Sequence, residues 1–286
     1  MLTSQIIDRA VAAALAEDAP WGDATSEAVI PAGATASAQL IARESGVLSG
    51  GAVFAAAMRL TDPAIATTLT QPDGAFFAAG AVLAEVSGPA RSVLTAERVA
   101  LNFAQRMSGV ATLTARYVGA VTGTRARIVD TRKTTPGLRP FERHAVVNGG
   151  GHNHRYSLSD AVLVKDNHLA VLTAGGLSVT DALRQVRASI GHTVHLEVEV
   201  DRLDQIEAVL AAGVDTIMLD NFSLDELRQG VALVHDRANI EASGGVALET
   251  VRAIAETGVD LISVGALTHS TRALDLGLDV VLSGAA

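Results

Sequence analysis

The chain has 286 residues, 49% hydrophobic and 19% charged, enough apolar material to bury a large core without staples. It has no cysteine, which excludes a disulfide framework, a thiolate nucleophile and a cysteine-held metal. A net charge of −9 and few aromatics exclude a general nucleic-acid binder, which needs clustered cations and stacking surfaces.

Charges at Asp8 and Arg9 interrupt the first apolar stretch, unlike a secretory signal, and no segment approaches the roughly 18 uncharged apolar residues of a membrane span. A cytoplasmic protein with no membrane partner is expected. In chain order, Ile6, Ile7, Ala10, Val11, Ala14 and Leu15 recur at helical spacing behind Thr3 or Ser4, predicting a capped helix over 4–17. Short apolar runs at 38–42, 65–69 and 81–86 are broken by Gly46, Gly50, Gly51, Asp73-Gly74, Gly80 and Gly88-Pro89. They predict short strands, with one helix near 52–60. Residues 1–105 therefore read as a small α+β sandwich domain. A long helical region comes next, over 94–120, with an interruption expected near Gly109.

From Ala126 the pattern becomes regular: an apolar run, a polar residue at its end, a loop, then an amphipathic stretch. Strands are predicted at 127–130, 161–165, 194–199, 216–220, 240–241 and 261–264, the last four recurring about every 21 to 23 residues, one strand plus one helix on a parallel sheet. Six units fall short of the eight of a closed (β/α)8 barrel, so over 106–269 the pattern leaves open either an incomplete or open α/β barrel or further strands that it does not reveal, with 270–286 a candidate to return to the first domain. Polar residues end successive strands: Asp130 with Arg132 and Lys133, Lys165, Glu199, Asp220, Glu241 with Ser243, and Gly265. In a barrel such ends converge on one mouth, where active sites are built.

Positive charge concentrates in the middle of this acidic chain. Arg132, Lys133, Arg139, Arg143 and Arg155, with His144, His152 and His154, are opposed only by Glu142, as suits a small anionic substrate in a pocket. Arg132 and Arg139 have the planar fork that grips a carboxylate. The string Gly149-Gly-Gly-His-Asn-His-Arg155 lets backbone approach a ligand beside His154 and Arg155; a metal pair of His152 and His154 is disfavoured by the cations around it. Two roles are open for Lys165, neutralising an anion or forming a Schiff base. Asp166, Asn167 and His168 read as a helix cap. Glu199 and Asp220, on adjacent strands, can hold Mg²⁺ carried by a pyrophosphate or stabilise positive charge on a sugar carbon, and Glu197 shares the strand face of Glu199. The turns Ser243-Gly244-Gly245 and Gly265-Ala-Leu-Thr-His269 offer backbone amides to a phosphate.

The strings 130–139, 149–155 and 163–168, together with Leu94-Thr-Ala-Glu-Arg98, Glu197-Val-Glu199, Leu219-Asp-Asn-Phe222, Ser243-Gly-Gly245 and Val264-Gly-Ala-Leu-Thr-His269, resemble in order the quinolinate phosphoribosyltransferase family. The resemblance covers most of the chain and implies an incomplete, open α/β barrel beside a smaller N-terminal α+β sandwich domain. It implies a homodimer, or a dimer-based higher oligomer, with a shared site and a Mg²⁺-dependent, decarboxylating transfer from phosphoribosyl pyrophosphate to quinolinate. It also implies quinolinate contacts at Arg132, Lys133, His154, Arg155 and Lys165, with Arg98 reaching in from the partner subunit. Ribose and pyrophosphate contacts fall on Glu199 and Asp220, phosphate contacts on Ser243, Gly244, Gly265 and His269, and catalytic roles on Lys133, Lys165, Glu199 and Asp220. Rival readings are a homologue acting on another nitrogen base, a Schiff-base lyase using Lys165, and a non-catalytic binder of phosphorylated ligands.

Overall fold

The structure, a computed structural model, describes residues 2–283. Helix α1 (Ser4–Asp18) is capped by Thr3, and α2 (Ala24–Val29), which the apolar pattern does not predict, by Asp23, whose carboxylate accepts the Thr25 and Ser26 amides. Then come β1 (Thr35–Ala42), β2 (Gly46–Val47), α3 (Gly51–Thr61), β3 (Ala66–Leu69), β4 (Phe76–Phe77), β5 (Val82–Pro89) and α4 (Ala90–Ala120). The interruption expected in α4 does not occur. Gly109 instead admits another segment: a Cβ there would lie 2.2 Å from the Arg272 carbonyl oxygen.

The chain continues through β6 (Arg127–Val129), α5 (Arg139–Asn148), β7 (Val162–Val164), α6 (Asp166–Thr173), α7 (Val179–Ser189), β8 (Leu196–Val200) and α8 (Ile206–Leu210). It ends with β9 (Thr216–Asp220), α9 (Leu224–Val234), β10 (Asn239–Ser243), α10 (Val251–Ala255), β11 (Leu261–Ser263), α11 (Ala266–His269) and β12 (Leu276–Ser283). None of the described helices is long and apolar enough to cross a membrane.

Two compact units result. The first comprises residues up to 115, 135–150 and from 270 onward; the second comprises 116–134 and 151–269. The division thus falls at 115/116 rather than at 105, inside α4, where no turn in the sequence marks it. Segment 135–150, read from sequence as part of the barrel, belongs to the first unit. Phe141, Ala145 and Val146 of α5 are buried, Phe141 meets the Phe103 ring at 5.3 Å, and Glu142 pairs with Arg106 at 2.7 Å.

The first unit holds a four-stranded antiparallel sheet in the order β12-β1-β5-β3 and a short β2-β4 pair. Alternation along β1 buries Ala36, Ala38, Leu40 and Ala42, and Leu48, Phe54, Met58, Phe77 and Leu83 complete the core. The returning segment supplies β12, paired along the whole of β1.

The second unit is a six-stranded parallel sheet in the order β6-β11-β10-β9-β8-β7. β6 and β7 are its two edges, so the barrel is open, and His152 makes a single parallel bridge to Val129 on the β6 edge. Alternation sorts the side chains. Leu196, Val198, Ile217, Leu219, Ile240 and Ala242 are buried on one face. On the other face Leu163, Glu197, Glu199, Thr216, Met218, Asp220, Glu241, Ser243 and Ser263 line cavities along the axis.

Asp73 holds the first unit together at the start of α3. Its carboxylate accepts the Gly50 and Gly51 amides (3.0 and 2.9 Å) and meets His144 Nε2 (3.1 Å) and Asn148 Nδ2 (3.3 Å) of α5. Burial opposes its charge, but the His144 contact and the two amides prevail and hold its pKa below the ordinary 3.8. A depressed folded pKa contributes stability that is present above the unfolded value and lost as pH falls through the folded one. Asp73→Asn is expected to cost about 1–3 kcal/mol at neutral pH and to flatten the loss of stability below pH 3.8; melting curves of both proteins across acid pH test this.

Candidate active site

The loops after β6 shape the site. Segment 152–154 lies along this strand, with His152 donating to the Ile128 carbonyl (2.8 Å) and accepting from the Asp130 amide (3.0 Å). The fully buried Asp130 carboxylate then accepts the His154 amide at 2.7 Å. The strand pattern puts Asp130 at the barrel mouth; it is an internal anchor instead, below the loop that carries the cations.

Above it a cavity of about 530 Å³ opens at the carboxyl ends of the strands. Arg132, Lys133, Arg155 and Lys165 supply positive charge, Glu199 and Asp220 negative, and Ser243, Gly244 and Gly245 complete the rim. Lys165, 45% exposed, forms an ion pair with Glu199. Asn221 Nδ2 donates to Asp220 at 2.7 Å. Arg132 Nε is buried with no acceptor among the described residues, a donor whose burial is costly until an acceptor arrives. Burial and the charge of Arg132 lower the pKa of Arg155. Two guanidiniums so placed favour a ligand with more than one negative charge.

Local backbone fixes this rim. Gly244 has φ +94, and a Cβ there would lie 2.1 Å from Asn221 Oδ1, so only glycine lets the β9 and β10 turns meet. Gly265 and His269, expected as phosphate contacts, do not line the cavity. A Cβ at Gly265 would touch His269 Nε2 (3.0 Å) and Lys133 Cδ (3.1 Å), and Thr268 Oγ1 donates to the Lys133 carbonyl (2.7 Å), so this turn supports Lys133. His168 caps α6, its Nδ1 accepting the Lys165 amide at 3.0 Å. Arg98 lies on α4 in the first unit, in a separate cavity with Asp23 and Thr95.

On the floor, His154 Nε2 lies 3.1 Å from Glu197 and 3.4 Å from Glu241. Glu197, which alternation places on the same face as Glu199, thus joins this trio while Glu199 borders the mouth. The three donor atoms lie within 4.8 Å of one another, a spacing that suits a metal ion, and His152 takes no part. The tautomer argues against a metal here. His154 Nδ1 accepts the Arg155 amide at 2.8 Å, so the ring proton sits on Nε2, pointing into the carboxylates and leaving no lone pair for an ion.

Burial disfavours charge on the ring, yet hydrogen bonds to Glu197 and Glu241 outweigh it and raise the His154 pKa to about 10. Burial also pushes the pKa of the Glu241 carboxyl up, toward its neutral form.

Sequence reasoning assigns no site role to Thr131, Leu163, Met218, Asn221 or Ser263, all of which line the mouth cavity. The period-two spacing of Met218 with Asp220 is the signal that could have found one of them.

Comparisons with known proteins agree along most of the chain. The quinolinate phosphoribosyl transferase N-terminal domain model matches residues 23–108 and the corresponding C-terminal domain model matches 110–279. The chain belongs to the quinolinate phosphoribosyltransferase family. It is 45% identical to the nicotinate-nucleotide pyrophosphorylase [carboxylating] of Mycobacterium leprae, covering 93% of this chain and 94% of that one. It is 41% identical to the probable enzyme of the same name from Bacillus subtilis, covering 93% and 91%. The crystal structure of NadC from Streptococcus pyogenes superposes with a TM-score of 0.94 at 41% identity over 99% of each chain.

Within this family member, Asp130→Ala removes the acceptor that fixes His154. It is expected to lower stability by about 2 kcal/mol and to weaken quinolinate binding roughly tenfold or more, as read by thermal melts and titration calorimetry; unchanged affinity would dismiss the anchoring role.

Proposed function

We propose that the chain transfers phosphoribosyl from phosphoribosyl pyrophosphate to quinolinate with decarboxylation, giving nicotinate mononucleotide, pyrophosphate and CO₂, a step of de novo NAD biosynthesis. Family membership gives the reaction class. The observation that carries the substrate is the cavity wall of Arg132, Lys133 and Arg155 with the acceptor-less Arg132 Nε, facing Glu199 and Asp220.

Quinolinate is a dicarboxylate. Arg132 and Arg155 grip its carboxylates, Lys133 adds a third charge, and the ring nitrogen is thereby oriented toward the sugar carbon. Glu199 and Asp220 take the ribose side, where their charge stabilises the oxocarbenium-like centre as pyrophosphate leaves. The rim at Ser243 and Gly244 receives phosphate. Gly265 and His269 act through Lys133. Once ribosylated, the ring nitrogen is positive and stabilises the electron pair left when the adjacent carboxylate departs as CO₂. Lys165, ion-paired and partly exposed, is arranged as a fixed cation, which favours this reading over a desolvated Schiff-base amine.

Mg²⁺ takes oxygen ligands and keeps waters and phosphates around it. Glu199 and Asp220 fit it as oxygen donors, and neither belongs to a three-group cluster among the described residues, which suits an ion arriving on pyrophosphate. When bound, it neutralises the leaving group. We further place Arg98 in the site of a partner subunit, making the working unit a homodimer, and the enzyme in the cytoplasm, in keeping with its lack of cysteine.

Purified protein given quinolinate, phosphoribosyl pyrophosphate and Mg²⁺ is expected to release pyrophosphate and CO₂ in equal amounts. Arg132→Ala should reduce kcat/KM by roughly 10- to 150-fold, the cost of one charge-assisted contact. Inert quinolinate with folded protein would refute the substrate. Mixing inactive Arg98→Ala and Lys165→Ala proteins is expected to restore part of the activity, since hybrid dimers carry one intact site; no recovery would count against a shared site.

A further inference from the structure

The decarboxylation leaves one requirement unmet by the residues assigned so far. When the ring carbon loses its carboxylate, the C–C electron pair stays on that carbon, and nicotinate mononucleotide forms only when the carbon gains a proton. An arginine does not release one at neutral pH. Lys133 and Lys165 would lose the charge that holds the anionic ligands. A donor that is neutral in its protonated state avoids that loss.

The second unit holds a second cavity, about 450 Å³, at the opposite ends of the strands, bordered by strand-start residues such as Arg127, His195, Thr216 and Asn239. The mouth and the lower cavity share His154, Arg155 and Glu241. Glu241 is 1% exposed, and its Oε1 is buried with no hydrogen-bond partner among the described residues. An ionised carboxylate with an unpartnered buried oxygen is far more costly than a neutral carboxylic acid in the same place.

We propose that Glu241 is the proton donor for the decarboxylation step, and that the lower cavity is the route by which it is reprotonated while substrate fills the mouth. This rests on the phosphoribosyltransferase reading above. In the step, the bond from ring carbon to carboxylate breaks, CO₂ leaves, and the retained electron pair takes the proton from the Glu241 O–H. Glu241 is left as a carboxylate beside His154 Nε2–H, and water in the lower cavity returns the proton. The upward shift of the Glu241 carboxyl by burial agrees with its carrying a proton before the step. A general acid so placed contributes about 10²- to 10⁴-fold.

Glu241→Gln, which keeps the shape but has no transferable carboxyl proton, is tested in single turnovers that follow pyrophosphate and nicotinate mononucleotide separately, with mass detection of the ribosylated intermediate retaining both carboxyls. The expected result is mononucleotide formation slowed roughly 100-fold or more, pyrophosphate release slowed far less, and the dicarboxylate intermediate accumulating. Equal slowing of both products overturns the proposal, because a merely structural role in holding His154 would weaken quinolinate binding, which precedes both steps. Both products forming at the wild-type ratio and rate overturns it as well. Should the Gln variant fail to fold, Glu241→Asp, which keeps the acid but withdraws it, is expected to slow mononucleotide roughly tenfold relative to pyrophosphate, and an unchanged ratio overturns the proposal. Wild-type protein that yields neither product marks failure of the transferase reading itself.

Discussion

Two-residue alternation along six in-register parallel strands is the constraint on which the site depends. In β8, Leu196, Val198 and Val200 are buried on one face while Glu197 and Glu199 face the axis. In β9 and β10 the same phase puts Thr216, Met218 and Asp220, and Asn239, Glu241 and Ser243, on that axis. A slip of one residue would bury carboxylates in the apolar layer and send Leu and Val to the mouth, so fold register and active-site chemistry cannot be varied separately. Burying Glu197 and Glu241 is tolerable because both lie against one imidazole Nε2, rather than standing as two isolated charges.

Depth along the axis gives the site its layers. Glu199 and Asp220 border the mouth, one held by Lys165 and the other by Asn221, while Glu197 and Glu241 sit on the floor. The cations come mainly from a different source, the loops after β6 and after Gly151, which are fixed by backbone pairing to β6 and by the Asp130 carboxylate. Charge of opposite sign thus reaches one cavity from regular strands and from anchored loops, each immobilised before a ligand arrives.

Much of this was legible in the sequence for identifiable reasons. All six barrel strands were found because each is an apolar run closed by a polar residue, and the cation loops because glycine and arginine cluster around His154. The roles of the individual residues came from family resemblance, not from spacing. What the sequence hid was depth and distance. Asp130 ends an apolar run just as Glu199 does, and nothing in one strand tells which polar residue reaches the mouth. Gly109 read as a helix breaker because its contact, the Arg272 carbonyl, is far away in sequence. The assignment of α5 to the first unit rests on Glu142 with Arg106 and on Phe141 with Phe103, both long-range. A unit boundary inside an unbroken helix leaves no compositional mark at all.

The pairing of β12 with β1 bears on how the protein is made. Residues 35–42 are synthesised before the whole of the parallel sheet, yet the strand that covers their outer edge, 276–283, is synthesised after it. Until the ribosome has translated that far, the first sheet keeps β1 as a bare edge, with its amides and carbonyls exposed to any passing strand. The parallel sheet, whose strands all fall within 127–263, can form before that point. Completion of the first unit therefore waits until residues 276–283 have been translated, a high-contact-order step that leaves the β1 edge open while the strands of the parallel sheet are being made.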